Sequence, residues 1–120
     1  MFDHIGLQVK DLAASVRFYE AVLAPLGFVL CSRDETSAGF GPKDAPALWL
    51  YADKQAKAMR THVAFRADAR EAVDQFHAKG IATGGSDNGK AGLRADYSPT
   101  YYAAFLLDPD GNNVEAVTYR

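Results

Sequence analysis

The chain has 120 residues, of which 48% are hydrophobic and 23% are charged. That size and composition predict one globular domain, residues 1–120, with a single core, and they exclude a disordered chain. Thirteen basic and fifteen acidic residues give a net charge of −2 without a basic run, so nucleic acid and anionic membranes are poor candidate partners.

The sequence also gives an expectation for the compartment. A single cysteine, Cys31, cannot form an intramolecular disulfide, and we interpret it as a small buried apolar residue on a strand. We find neither a secretory leader pattern nor an apolar run long enough to cross a bilayer. We therefore expect a cytoplasmic protein with no membrane partner.

The first half of the chain reads as a strand, a helix and three further strands. Residues 3–9 (DHIGLQV) alternate apolar side chains with others, which predicts a strand. Asp11 is the predicted N-cap of a helix whose apolar residues recur at helical spacing and which ends near residue 24, before Gly27. Turn-forming residues then separate three short predicted strands at residues 28–33, 36–41 and 47–51.

The second half opens in the same way. Residues 61–67 (THVAFRA) predict a strand, and Asp68 with Glu71 has the spacing of a capping box. The helix that follows is predicted to end at Gly80. The last two predicted strands are joined by the turn sequence DPDG and span residues 101–107 and 112–119.

The glycine-rich stretch at residues 84–90 (GGSDNGK) partly fits a phosphate-binding loop. Ala91 stands where Ser or Thr would hold magnesium, so we reject a nucleotide site. We interpret the stretch as a mobile loop at the rim of a binding site. Arg94 and Asp96 could contribute to that rim, although the simpler interpretation is that they are solvated surface charges.

The two halves, residues 1–53 and 60–119, look like copies of one β-α-β-β-β unit. A shift of 58 residues aligns His4 with His62 on the first strands and Phe18 with Phe76 on the helices. His77 aligns with Tyr19 and has no histidine counterpart, so we interpret it as structural or exposed.

The paired histidines raise the question of a site. Each one alone is most simply a hydrogen-bonded strand residue. Glu115, however, lies among apolar residues of the last strand, where a carboxylate is costly unless it is paired or bound to a metal. Two imidazoles and one carboxylate, with open positions, are what a catalytic divalent cation uses.

Three stretches of the chain resemble the vicinal oxygen chelate superfamily, which includes glyoxalase I, extradiol dioxygenases, methylmalonyl-CoA epimerase and the bleomycin-resistance proteins. They are DHIGLQVKDLAASVRFYEAVLAPLGF, THVAFRA and YYAAFLLDPDGNNVEAV. The resemblance implies an α+β, glyoxalase-like fold in which paired βαβββ modules form an open cup of mixed sheet with two flanking helices. It also implies a homodimer, because a second subunit often completes or supports the cup.

The resemblance further implies a divalent metal ion held by His4, His62 and Glu115, with Glu115 as a possible metal-linked base. Zinc, iron, manganese and nickel are not distinguished. Many members use a fourth ligand at a position that falls near Trp49 in this chain, and tryptophan cannot ligate a metal. The three-ligand set is similar to that of the dioxygenase branch, although the chain is shorter than typical extradiol enzymes.

The function implied is that of a metal-dependent lyase, isomerase or dioxygenase acting on a small molecule with adjacent oxygens. The alternative is a metal-free protein that binds a drug or metabolite in the same cup, as the bleomycin-resistance branch does. Strand alternation sends one of two neighbouring tyrosines to each face of its sheet. The residues predicted to line the cup are Trp49, Tyr51, Arg66, Tyr101 and Tyr102.

Overall fold

The computed structural model describes residues 1–120 and contains eight strands and two α-helices. Most boundaries lie within two residues of the predicted ones. In chain order the elements are β1 (Ile5–Val9), α1 (Leu12–Leu23), a 3-10 turn (Ala24–Leu26), β2 (Val29–Arg33), β3 (Ser37–Gly41), β4 (Leu48–Ala52), β5 (His62–Arg66), α2 (Arg70–Ala82), β6 (Ser86–Leu93), β7 (Tyr102–Leu107) and β8 (Asn113–Thr118).

The strands form two four-stranded mixed sheets of identical topology. Sheet 1 has the strand order β1-β4-β3-β2, and sheet 2 has the order β5-β8-β7-β6. In each sheet the first and last strands of a βαβββ unit run parallel, and the other pairs are antiparallel. The predicted α+β fold of paired βαβββ modules is confirmed.

Helix α1 forms as its sequence predicts. The Asp11 side chain accepts a hydrogen bond from the Ala14 N–H at 3.1 Å, which satisfies one of the free donors of the first turn. The chain leaves the helix through the 3-10 turn at Gly27, whose φ of +88° favours glycine. The predicted apolar face is buried and comprises Leu12, Val16, Tyr19 and Leu23.

The predicted capping box of α2 is wrong. The N-cap residue is Ala69, which makes no side-chain cap bond, so the helix begins one residue later than Asp68 would require. Glu71 instead lies in the first turn, where its negative charge interacts favourably with the helix dipole.

Gly80 is also not the C-terminus of α2 that the sequence predicts, since the helix continues to Ala82. A Cβ at Gly80 would lie 2.2 Å from Cδ1 of Leu106, so glycine here permits close packing on sheet 2.

The predicted mobile loop at residues 84–90 is also wrong, because residues 86–93 form β6. The strand pairs with β7 through two register shifts, between Asp87 and Gly89 and between Gly89 and Gly92. The φ of Gly89 is +146°. Bulges at glycines let a sequence of low strand propensity join a sheet, and sequence patterns miss such strands.

One core joins the two halves. A single cluster of twenty buried residues draws on both helices and both sheets, including Phe18 and Phe76. The turn between β7 and β8 reaches across to α1, where Asp108 accepts a 2.5 Å hydrogen bond from the Tyr19 hydroxyl and Asp110 accepts one from the Lys10 N–H. Its predicted tight-turn bond, from the Gly111 N–H to the Asp108 carbonyl, is 2.9 Å long.

Neither helix is long and apolar enough to cross a membrane. Cys31, predicted to be buried, is only half-buried on β2, with its Sγ 3.3 Å from the Pro42 carbonyl oxygen.

Candidate functional site

Each sheet packs one face against a helix and leaves a second face, called here the open face, turned away from it. On β8, Val114 and Ala116 point into the core, so alternation places Glu115 on the open face of sheet 2. Phe105 of β7 lies directly across from Glu115. Although it is on the open face, Glu115 is only 2% exposed.

Two neighbours satisfy the buried carboxylate of Glu115. The Tyr101 hydroxyl donates to Oε1, and Nε2 of His62 lies 3.1 Å from Oε2. A buried carboxylate without such partners would carry a large desolvation cost. The structure therefore brings His62, Glu115 and Tyr101 into one polar cluster.

Both ring nitrogens of His62 lie near hydrogen-bond acceptors. Nδ1 lies 3.2 Å from the Asn113 carbonyl oxygen, which can only accept. Nε2 faces the Glu115 carboxylate, which also accepts. A neutral imidazole has a single N–H and cannot donate to both. A proton on Nε2, or a cation between Nε2 and Oε2, would join the ring to the Glu115 carboxylate.

The two neighbouring tyrosines point to opposite faces, as predicted, and the structure decides which one faces the site. Tyr101 lies on the open face; burial and the Glu115 carboxylate raise its pKa, so the phenol stays protonated at neutral pH. Tyr102 packs on the helix side instead, with its hydroxyl 2.6 Å from Asp74 and the Arg70 guanidinium 4.9 Å from its ring centre. Tyr102 therefore does not line the open face, contrary to the predicted set.

His4 does not join this cluster within one chain. It directly precedes β1, is about half exposed, and places Nδ1 2.5 Å from Oδ1 of Asp3. It lies at a mostly apolar cavity of about 180 Å³ between the two halves, which includes Phe40 and Phe65. No three His, Cys, Asp or Glu side chains of this chain gather in a geometry that could hold a metal ion.

Trp49 and Tyr51 lie on the open face of sheet 1. Register pairs Gly6 with Trp49 and, in sheet 2, Ala64 with Glu115, so Trp49 is the positional equivalent of Glu115. A Cβ at Gly39 would lie 2.9 Å from the Trp49 ring, and one at Gly6 would lie 2.8 Å from the Tyr51 ring. The two rings therefore pack closely against glycines, which have no side chain to displace them, and make this face aromatic.

Arg66 and Arg94 supply positive charge to sheet 2. Arg66 is exposed at the end of β5, across from Val117. The Arg94 guanidinium lies 5.3 Å from the Phe105 ring centre, and the residue as a whole is half-buried. Sequence reasoning undervalued Arg94, because its position beside the site depends on β6 being a strand.

The pair of His62 and Glu115 fits a divalent cation in its chemistry. Two donors bound to one cation at about 2.0–2.2 Å lie roughly 2.9–3.4 Å apart, and the observed separation of Nε2 and Oε2 is 3.1 Å. Metal-binding histidines also commonly donate their other ring N–H to a backbone carbonyl, as Nδ1 can to Asn113. His62 and Glu115, two of the three residues predicted as donors, thus lie together within one chain.

Comparisons with known proteins agree with this architecture. The sequence model of the Glyoxalase/Bleomycin resistance protein/Dioxygenase superfamily matches residues 1–116. A glyoxalase/bleomycin resistance protein from Albidiferax ferrireducens T118 is 31% identical, with a TM-score of 0.82 over 98% of this chain and 97% of that chain. No curated protein matches the chain.

More distant structures share the fold. A glyoxalase/bleomycin resistance protein/dioxygenase family enzyme from Burkholderia phytofirmans PsJN is 20% identical, with a TM-score of 0.75 over 98% of each chain. A glyoxalase I mutant from Zea mays is 22% identical, with a TM-score of 0.74; the match covers 97% of this chain but 46% of that one. At these identities the likeness shows the paired-module architecture alone.

Proposed function

The chain belongs to the glyoxalase/bleomycin resistance protein/dioxygenase superfamily, and from that membership we propose that it is a cytoplasmic, divalent-metal-dependent enzyme. Its substrate is a small molecule with adjacent oxygens, and its reaction is of the lyase, isomerase or dioxygenase type. The observation that carries the proposal is the contact between His62 and Glu115, where two acceptors face one imidazole.

The residues of the chain prepare this position in three ways. The Asn113 carbonyl holds Nδ1 of His62 so that Nε2 points at Glu115. The Tyr101 hydroxyl binds Oε1 of Glu115 and leaves Oε2 for a ligand. A bound cation would act there as a Lewis acid that holds adjacent substrate oxygens and stabilises developing negative charge. Glu115, which would lie beside a substrate held by that cation, is also the proposed proton acceptor, and it would give up its contact with the cation when it takes the proton.

The third donor in this proposal is His4 of a partner subunit. His4 is half exposed and separate from the polar cluster of its own chain, so it is available to a second copy. The open face of sheet 2 would then meet the amino-terminal end of β1 of the partner, and each dimer would hold two equivalent sites. Sedimentation at micromolar concentration measures the dimer directly, and a purely monomeric protein would contradict it.

Metal content tests the proposal. Protein purified without an affinity metal, from cultures supplemented in turn with zinc, iron, manganese or nickel, should hold about one ion per chain by elemental analysis. His62→Ala, Glu115→Gln and His4→Ala should each remove most of it. His77→Ala is the matched control, because His77 pairs with Asp87 at 2.8 Å away from the cluster.

A wild-type protein without metal under every supplement would overturn the proposal. Loss of metal in the first two variants but full retention in His4→Ala would overturn only the role of His4. Because the aromatic surface of Trp49 and Tyr51 suits a flat apolar ligand, a metal-free protein would favour the second candidate, a binding protein of the bleomycin-resistance type.

A further inference from the structure

We propose that Arg94 is the specificity-determining residue of the sheet 2 site and that it selects ligands carrying an oxyanion, either a carboxylate or a phosphoryl group. This inference deepens the proposed function, because it names the chemical class of the substrate. It rests on how the structure holds Arg94, on the absence of a carboxylate partner for its guanidinium, and on its place beside Phe105.

The guanidinium of Arg94 is held in place before any ligand arrives. Its Nη1 donates to the Gly92 carbonyl at 2.9 Å, and its Nη2 donates to the Lys90 carbonyl at 2.6 Å. Both acceptors belong to the same strand, β6, so the long side chain folds back along its own backbone. An arginine fixed in this way loses little conformational freedom when it binds a ligand.

Two glycines of β6 make room for this arrangement. A Cβ at Gly89 would lie 3.2 Å from Nη2 of Arg94, and a Cβ at Gly92 would lie 3.4 Å from Nη1. The Phe105 ring supports the group from β7, at 5.3 Å between Cζ and the ring centre. The bulges that interrupt β6 at these glycines thus have a consequence for binding, because they create the space in which the guanidinium lies.

No acidic side chain neutralises Arg94. The ion pairs of the chain involve only its three histidines, and the two hydrogen bonds of Arg94 go to uncharged carbonyls. Of the five guanidinium N–H groups, three have no acceptor within the protein. An immobilised cation with free donors is what a bidentate carboxylate or phosphoryl group requires.

Arg94 and the polar cluster of His62, Glu115 and Tyr101 are linked through the ring of Phe105. Sheet order places β7 between β8, which carries Glu115, and β6, which leads to Arg94. The Phe105 ring on β7 stacks at 6.4 Å with the ring of His62 and also contacts Arg94. One aromatic ring therefore separates the two polar ends of the site. A ligand that reaches both carries its oxyanion about one ring width from its adjacent oxygens.

Three small probes test the inference in the presence of a chelator, so that no metal can bind them. Benzoate carries a carboxylate, phenylphosphonate a phosphoryl group, and benzamide is the neutral analogue of benzoate. By NMR titration, the preferred anion should bind about tenfold or more tightly than benzamide, the gain expected for charge-assisted hydrogen bonds. The better of the two anions identifies the oxyanion.

Arg94→Gln should reduce the preference to within about twofold, and Arg94→Lys, which keeps the charge but loses the planar fork, should give an intermediate value. Arg17→Gln, on the exposed surface of α1, is the matched control for net charge and should behave as wild type. Equal binding of anions and benzamide, an unchanged preference in Arg94→Gln, or no saturable binding of either anion would overturn the inference.

His62→Ala separates this inference from the proposed function. It should lose metal but keep the anion preference, since Arg94 does not depend on the cation. A protein that never binds metal yet prefers anions through Arg94 would contradict the proposed function and support the inference. A protein that binds metal but shows no anion preference would support the proposed function and contradict the inference about Arg94.

Discussion

The open faces of the two sheets share a scaffold and differ in chemistry. In sheet 1 the position across from Gly6 holds Trp49, whose ring packs against Gly39; in sheet 2 the equivalent position holds Glu115, bound by Tyr101 and His62. The two βαβββ units thus share strand order and the pairing of first and last strands, while one carries the polar cluster and the other an aromatic surface. Fold and site are separable properties of this chain.

The largest effect is expected in the core. It tests whether the two halves, which share a topology, also contribute equally to stability. Phe18 and Phe76 occupy matching helix positions and are both fully buried. Phe18→Ala and Phe76→Ala should each lower the free energy of unfolding by about 3–5 kcal/mol, because each leaves a cavity. Urea denaturation measures both. A difference of several kcal/mol between them would show that one half dominates the core.

A smaller effect is expected where the halves differ, at the buried carboxylate. Tyr101→Phe removes the hydroxyl that donates to Glu115 and should cost about 1–3 kcal/mol at neutral pH. Chemical denaturation gives the value, and unchanged stability would mean that Glu115 is satisfied without Tyr101.

The same variant has an alkaline signature. Burial and Glu115 raise the pKa of Tyr101 above its ordinary value of 10.0, so the folded protein keeps a proton that the unfolded chain releases. Stability is therefore fully present below pH 10 and falls as the pH rises above it. The fall should be shallower in Tyr101→Phe than in wild type, and thermal melts from pH 9 upwards would show parallel curves if this were wrong.

The helices provide a third contrast. Gly80 of α2 matches Val22 of α1, and both are buried. Gly80→Ala gains up to about 1 kcal/mol of helix propensity, but the new Cβ meets Leu106, and overpacking costs about 1–3 kcal/mol. A net destabilisation in denaturant is expected. A more stable variant would show that Leu106 can move aside.

The smallest effect concerns the pair that His77 of α2 forms with Asp87 of β6. The first module has no such pair, because Tyr19 occupies the position that matches His77. The Gly89 N–H and then His77 lower the pKa of Asp87. The stabilisation that this gives is present at neutral pH and is lost as the pH falls through the lowered pKa. Asp87→Asn should therefore melt slightly below wild type at pH 7, and the two melting curves should converge in acid.

These contrasts show how far sequence reasoning reaches. Sequence reasoning located both helices and seven strands, since alternation and helical spacing are visible in a single sequence. It missed β6, because glycines and bulges hide the strand period there. It grouped His62 with Glu115, which the structure places in contact, and it added His4, whose distance from them depends on how two modules pack. It could not choose between Tyr101 and Tyr102, since that depends on the strand register.

The turn that joins β7 and β8 has a consequence for how the chain folds. Its Asp110 binds the Lys10 N–H and its Asp108 binds Tyr19, so contacts separated by about a hundred residues anchor the first helix. Such non-local pairings delay folding until most of the chain is available, because a long loop must close before they form. A nascent chain released before residue 108 would therefore lack the partner of its buried tyrosine, and the amino-terminal module alone would expose the apolar surface that normally joins both modules.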